Sequence, residues 1–265
     1  MSTVPAIALQ GIEVAFDTSA PPVMANLDLH VAPGEFLCVV GPTGCGKSTI
    51  LNVIAGLVAP RAGRVEILGQ PLTGLNRDAG YLFQAQALLP WRNARDNVAL
   101  GLHFRGMPRK DADALAQDWL ARVGLRDAGE RYPHQLSGGM QKRVALAQVL
   151  VTNPQILLMD EPFSALDVQT RGLMENELLA LWSADRKSVV FITHDLEEAI
   201  ALGDRVVVVA AGPRSHVVGD YAIDLPRPRD VEEIRLTPHF VELHREIWQQ
   251  LKREVQRRHG MAGTP

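Results

Sequence analysis

The chain has 265 residues, a formal net charge of −3 and 46% hydrophobic residues. That length suits one large domain with a subdomain and excludes a tandem pair of large domains. The mildly acidic balance supplies no global field for nucleic acid, and no run of about 18 apolar residues is present to form a membrane span.

Met1 to Phe16 carries Glu13 and no basic region followed by an apolar stretch, so it is not expected to act as a secretory leader. Leu27, Leu29 and Val31 alternate with Asp28 and His30, which predicts a half-exposed strand in an N-terminal antiparallel layer. Arg64 to Leu68 has the same pattern. Phe36 to Val40, Ile156 to Met159, Val189 to Thr193 and Val206 to Ala210 are short, nearly continuous apolar runs, as parallel strands buried on both faces require. Helical patterns separate them, so an α/β fold with a mainly parallel sheet is expected. Cys38 and Cys45 lie in an apolar run and a glycine-rich loop, and read as ordinary thiols of a reduced, cytoplasmic compartment.

Immediately after Phe36 to Val40 comes Gly41-Pro42-Thr43-Gly44-Cys45-Gly46-Lys47-Ser48-Thr49, which matches the P-loop pattern between a strand and a helical stretch, Thr49 to Leu57. Its glycines let backbone N–H groups converge on phosphate oxygens, and the helix N-terminus adds partial positive charge. Lys47 is placed to reach the β- and γ-phosphates, and the Ser48 hydroxyl is a hard donor for Mg²⁺. Nucleotide binding follows from this segment alone.

Tyr81 to Phe83 predicts a strand ending at Gln84. From about Ala85 to Pro133 no strong strand signal appears, and Asp111 to Val123 carries Leu115, Trp119, Leu120 and Val123 at helical spacing. A helical subdomain inserted in the core is the reading. Ser137-Gly138-Gly139 opens another helix, Met140 to Val151, and forms a second anion-facing helix start. Since the P-loop already holds the phosphates, this second site suits a nucleotide on a partner subunit; a merely capped helix is the alternative. Ile156 to Met159 leads into Asp160 and Glu161. This carboxylate pair is expected beside the P-loop strand, with Asp160 in the Mg²⁺ shell and Glu161 as general base for an attacking water. His194 follows Val190 to Thr193. Pro226 to Asp230 breaks the pattern, after which Phe240, Leu243, Ile247, Leu251 and Val255 predict an amphipathic tail helix packed on its own domain, with Lys252, Arg253, Arg257 and Arg258 at its basic end. The divisions are 1–84 and 154–225 for the core with its antiparallel layer, 85–153 for the helical subdomain and 226–265 for the tail.

The ordered set Gly41 to Thr49, Gln84, Leu136 to Gln141, Ile156 to Glu161, Ser164 to Asp167 and His194 is similar, over essentially the whole chain, to the ATP-binding cassette of ABC transporters. The resemblance implies ATP and Mg²⁺ as ligands and a dimer with a second copy or a homologous ATPase subunit. It implies that Phe16 stacks on adenine, though Phe16 also suits a strand core. Gln84 would join the Mg²⁺ and water shell, and Ser137, Gly138 and Gly139 would meet the γ-phosphate of the opposite subunit's ATP. Asp167 would cross the dimer interface, and His194 would contact the γ-phosphate and position Glu161. Met140 precedes Gln141 where the commonest signature has glutamine directly, a variant familiar in importer cassettes. Leu89 to Leu102, with the Pro226 to Asp230 turn, resembles the importer ATPases for nitrate, sulfonates and taurine. Two integral-membrane permease subunits, an extracytoplasmic solute-binding protein, a place on the cytoplasmic face of the inner membrane and no nucleic-acid partner are then implied. Trp91 would dock the permease, or else close the helical subdomain's own core. The detached ATPase of an exporter would share the site chemistry. A soluble cassette acting on ribosomes or DNA typically has two cassettes or a long coiled-coil insertion, and neither is in this sequence.

Overall fold

In a computed structural model, residues 4–17, 20–84, 88–164 and 166–262 are described, 258–262 by backbone alone. Ala85, Ala165 and the Arg258 side chain, named in the expectations above, lie outside that description.

Two sheets form. The first has the order β2-β1-β4-β5 and is antiparallel throughout, from β1 (Ile7–Val14), β2 (Met24–Val31), β4 (Ala62–Ile67) and β5 (Gln70–Pro71). The second has the order β10-β9-β3-β8-β7-β6. It joins β3 (Phe36–Val40), β6 (Ala79–Leu82), β7 (Ile156–Asp160), β8 (Ser188–Ile192), β9 (Arg205–Val209) and β10 (Val217–Ala222). All its pairs are parallel except β9 with β10.

The continuous apolar runs have the predicted cause. Leu37, Val39, Leu158, Val190, Ile192 and Val207 face the antiparallel layer and the helix α1 (Lys47–Ile54). The alternate side chains, Phe36, Cys38, Leu157, Met159, Phe191 and Val206, face a second buried cluster, as a period of two demands. That second cluster is completed by α5 (Val168–Ala184), α6 (Leu196–Leu202), the single turn α7 (Val231–Ile234) and the long tail helix α8 (Pro238–Ala262). Phe240, Leu243, Ile247 and Leu251 of α8 are buried in it, so the amphipathic tail packs on its own domain.

Between β6 and β7 lie α2 (Ala94–Phe104), α3 (Arg109–Arg122) and α4 (Gly138–Leu150), with a core of their own built on Val98, Leu102, Ala116, Leu120, Val144 and Ala147. Small residues at Ala112, Ala116 and Ala147, all fully buried, let these helices approach closely.

One expectation needs correction. The Asp160 strand was expected beside the P-loop strand, but β8 lies between them: β3 pairs with β8 and β9, and β7 pairs with β6 and β8. The sheet register compensates. Val39 stands opposite Ile192, and Ile192 opposite Asp160, so one row crosses all three strands. Their C-terminal ends therefore open on the same edge of the sheet, where α/β folds bind ligands.

Candidate active site

At that edge is a cleft of about 550 Å³ lined by Val23, Thr43, Gly44, Gly46, Lys47, Ser48, Thr49, Gln84, Glu161 and His194. The P-loop makes its floor. Gly44 and Gly46 have φ of +77° and +91°, a conformation that L side chains rarely adopt. Gly41 is required for a different reason: a Cβ there would fall 2.9 Å from both Cys45 Sγ and the Val209 carbonyl. Lys47 is buried, and its Nζ donates to the carbonyls of Gly41 (2.9 Å) and Pro42 (3.2 Å), which holds the ammonium over the loop.

Asp160 ends β7 almost wholly buried. Burial raises its carboxyl above the usual carboxylate range, helped by the neighbouring Glu161, while a hydrogen bond from Ser48 and the charge of Lys47 oppose the rise. Asp160 does not line the cleft itself, but a buried acid bonded to the Ser48 hydroxyl, which does, makes a hard-oxygen donor pair that fits Mg²⁺.

Glu161 leaves the strand with φ +44°, a strained setting for a non-glycine residue. Its N–H donates to the Ile192 carbonyl at 2.9 Å, so the backbone of β8 fixes the turn. Gln84 Nε2 donates to Glu161 Oε2 at 3.3 Å, and His194 Nδ1 lies 3.0 Å from the same oxygen. Oε1 carries neither bond. A carboxylate oriented through one oxygen keeps the other for a proton, the geometry a general base needs.

The remaining expected residues are elsewhere. Phe16 is 69% exposed, which removes the strand-core alternative, and it does not line this cleft. Ser137, Gly138, Gly139 and Asp167 do not line it either. They form a surface of their own. Ser137 caps α4, its Oγ accepting from Met140 N at 3.3 Å, and Asp167 caps α5, its Oδ1 accepting from Thr170 N at 3.0 Å. The two helix starts touch, because a Cβ on Gly139 would lie 3.1 Å from Thr170 Cγ2. Ser137, Gly138 and Asp167 are exposed, as is Val168 beside them.

Two further side chains serve the cleft from behind: Lys142, which sequence reasoning passed over, and Ser164, which it placed only within the segment Ser164 to Asp167 and gave no role. Lys142 on α4 is 4% exposed and donates to the Gln84 carbonyl at 2.9 Å; burial lowers its pKa. Ser164 Oγ donates to the Glu161 carbonyl at 3.0 Å. A lysine or serine on a polar helix face or turn reads as solvated, and only the fold shows otherwise.

A family model described as ABC transporter matches residues 24–164. An uncharacterised ABC transporter ATP-binding protein of Methanocaldococcus jannaschii is 44% identical over 240 residues, 91% of this chain and 88% of that protein. A bicarbonate transport ATP-binding protein of Synechocystis is 39% identical, covering 89% of this chain and 86% of its own length. A nitrate import ATP-binding protein of Synechococcus elongatus is 41% identical over 84% of this chain, which spans 34% of that longer protein. Among solved structures, a dimeric ATP-binding cassette in a post-hydrolysis state, bound to ADP and phosphate, superposes with a TM-score of 0.72 at 31% identity, over 83% of this chain and all of the other. With its P-loop cleft and oriented carboxylate, the chain belongs to the ABC transporter family as an ATP-binding, ATP-hydrolysing cassette.

Proposed function

We propose that this cassette works as a two-fold pair that drives import of a small solute of the nitrate, sulfonate, taurine or bicarbonate kind. The observation that carries the catalytic part is the shared Glu161 oxygen, held by Gln84 and His194 at the mouth of the P-loop cleft. In this reading Lys47 and the loop amides bind the phosphates, and Glu161 takes the proton from an attacking water. His194 keeps Glu161 in place and reports on the γ-phosphate. Ser48, Asp160 and Gln84 hold Mg²⁺, whose charge offsets that of the phosphates. Phe16, exposed near the start of the chain, stacks on adenine.

The pairing is supported by the second surface. Ser137, Gly138, Gly139 and Asp167 stand together at two exposed helix starts and do not line their own chain's cleft, so they suit the γ-phosphate held by a facing copy. That a similar solved cassette is dimeric supports the pairing itself. The import direction and the solute class rest on the nitrate and bicarbonate relatives. No helix among the described residues is long and apolar enough to cross a membrane, so two separate permease subunits would carry the solute and hold the cassette pair at the cytoplasmic face. An extracytoplasmic binding protein would deliver it.

Glu161→Gln tests the shared site. The amide keeps size and hydrogen bonding but cannot accept the proton. ATP turnover is expected to fall by about two to four orders of magnitude, and sizing chromatography should show a dimer that grows with Mg-ATP and not with Mg-ADP. A variant that stays monomeric at saturating ATP counts against the shared site; one that hydrolyses at the parent rate shows that Glu161 is not the base.

A further inference from the structure

Arg171 lies in the first turn of α5, four residues past Asp167, and its guanidinium faces inward rather than to solvent. Nη1 donates to Asp195 Oδ2 at 3.2 Å, and Nη2 to the Leu166 carbonyl at 3.3 Å. These acceptors belong to separate parts of the site. Asp195 directly follows His194. Its other oxygen, Oδ1, caps α6 by accepting from the N–H groups of Glu197 (2.9 Å) and Glu198 (3.2 Å), and its own N–H donates to Thr193 Oγ1 at 3.0 Å. Both carboxylate oxygens are thus engaged, which leaves the backbone at His194 little freedom. Leu166 immediately precedes Asp167, an exposed residue that does not line the cleft.

The links form a closed circuit. Glu161 is bonded to His194; His194 is joined by a peptide bond to Asp195; Asp195 is paired with Arg171; Arg171 holds Leu166. From there the turn returns to Glu161, through Leu166 N to the Phe163 carbonyl (3.0 Å) and Ser164 Oγ to the Glu161 carbonyl (3.0 Å). Among the side-chain contacts of the described residues, Arg171 is where the histidine arm and the Asp167 arm meet. A guanidinium suits this position because its planar fork serves two acceptors in fixed directions, whereas an ammonium is a point charge on a flexible stem.

We infer that Arg171 is a positioning residue for hydrolysis, coupling the orientation of His194, and through it Glu161, to the placement of Asp167 on the partner-facing surface. It does not line the P-loop cleft. Its effect is that the base is aligned only when the Asp167 segment is seated, so that completing the paired site and activating the water become one event. The inference rests on the roles given to Glu161, His194 and Asp167 above.

Deleting the cation outright is a poor test. Glu175 and Glu198 are buried beside Arg171, Asp195 and Arg235, and loss of a positive charge there could unfold the protein. Arg171→Lys keeps the charge and loses the fork. Asp195→Asn keeps a cap acceptor and loses the ion pair. For Arg171→Lys, kcat is expected to fall about tenfold with KM for ATP within about twofold and the melting temperature near the parent's, the pattern of a contact made in the transition state. The double variant should fall no lower than the worse single one, because both cut the same link. In the Glu161→Gln background, Arg171→Lys should lower the ATP-dependent dimer on sizing chromatography. Additive losses in the double variant, or a loss that tracks the folded fraction, would mark Arg171 as merely structural and overturn the inference. Parent kcat and parent dimer with Arg171→Lys, in an enzyme that Glu161→Gln does silence, would remove this coupling alone. Parent-rate hydrolysis by Glu161→Gln would remove the base and the coupling together.

Discussion

Lys47 meets its ligand already held in place. Its ammonium sits on the Gly41 and Pro42 carbonyls, so phosphate binding exchanges or adds partners for a group whose side chain is already ordered. Lys47→Ala is expected to abolish ATP hydrolysis, losing charge-assisted contacts that contribute about 1.5–3 kcal/mol each. Far-ultraviolet circular dichroism should show the fold retained, and parent-rate ATPase activity in the purified variant would refute the assignment. At this scale the sequence was informative wherever chemistry depends on spacing. Lys47, Ser48, Asp160 and Glu161 could each be named because a strand end or a glycine pattern fixes where they point, and His194 through the resemblance to the family. Arg171 and Lys142 could not. Each has a residue type that is ordinarily solvated on a helix, and what makes it matter is an acceptor 5 to 58 positions away in the chain.

The helices and turns carry two further consequences. Asn97 of α2, fully buried, accepts from Leu89 N at 2.7 Å and donates to the carbonyls of Leu89, Arg92 and Asn93 at 2.9 to 3.2 Å. One amide thus pins the turn that presents Trp91, which is 71% exposed and so does not close the local core. Trp91→Ala should leave the basal ATPase and melting temperature of the isolated subunit unchanged while weakening co-purification with the permease. A loss of thermal stability with assembly intact would reverse that reading. In α6, Glu198 is raised to about 8, first by burial and then by the nearby Glu175 and Asp195, against the Thr193 hydrogen bond and the charge of Arg171. Its folded pKa lies above the unfolded value. The folded state therefore keeps a proton that the unfolded chain releases, and stability falls as pH rises from about 4.5 to about 8, then levels. Glu198→Gln should raise the melting temperature by roughly 5 °C at pH 8.5 and far less at pH 5; an equal rise at both would show that the charge is not the cause. Buried strands were the easiest elements to read, since β3, β7, β8 and β9 have apolar residues on both faces. β10 was missed: its sequence, VVGDYA, neither alternates nor runs apolar, and it pairs only at the sheet edge.

Across the whole molecule, the tail is part of the core. Ile247 is fully buried on α8, which packs against α6 and the sheet, and Glu254 accepts the Ala211 N–H at 3.1 Å in the loop after β9. Ile247→Ala should cost about 2–5 kcal/mol in denaturant unfolding; a loss under about 1 kcal/mol would mean that the tail is dispensable. The tail's helical period was visible, but the adjacency of strands was not, because nothing local in β3 or β7 says that β8 will come between them. The row through Val39, Ile192 and Asp160 has a consequence for how this protein tolerates error. Misspelling one apolar residue as another in β8 changes a volume, and a neighbouring side chain can adjust. Dropping one residue changes parity: every later side chain in the strand turns to the opposite face, and His194 is drawn back from Glu161 by one step of about 3.3 Å. Deleting Val190 should therefore silence hydrolysis. Inserting one residue after Gly106, where φ is +81° and a Cβ would meet nothing within 4 Å, should leave ATPase activity and melting temperature near the parent's.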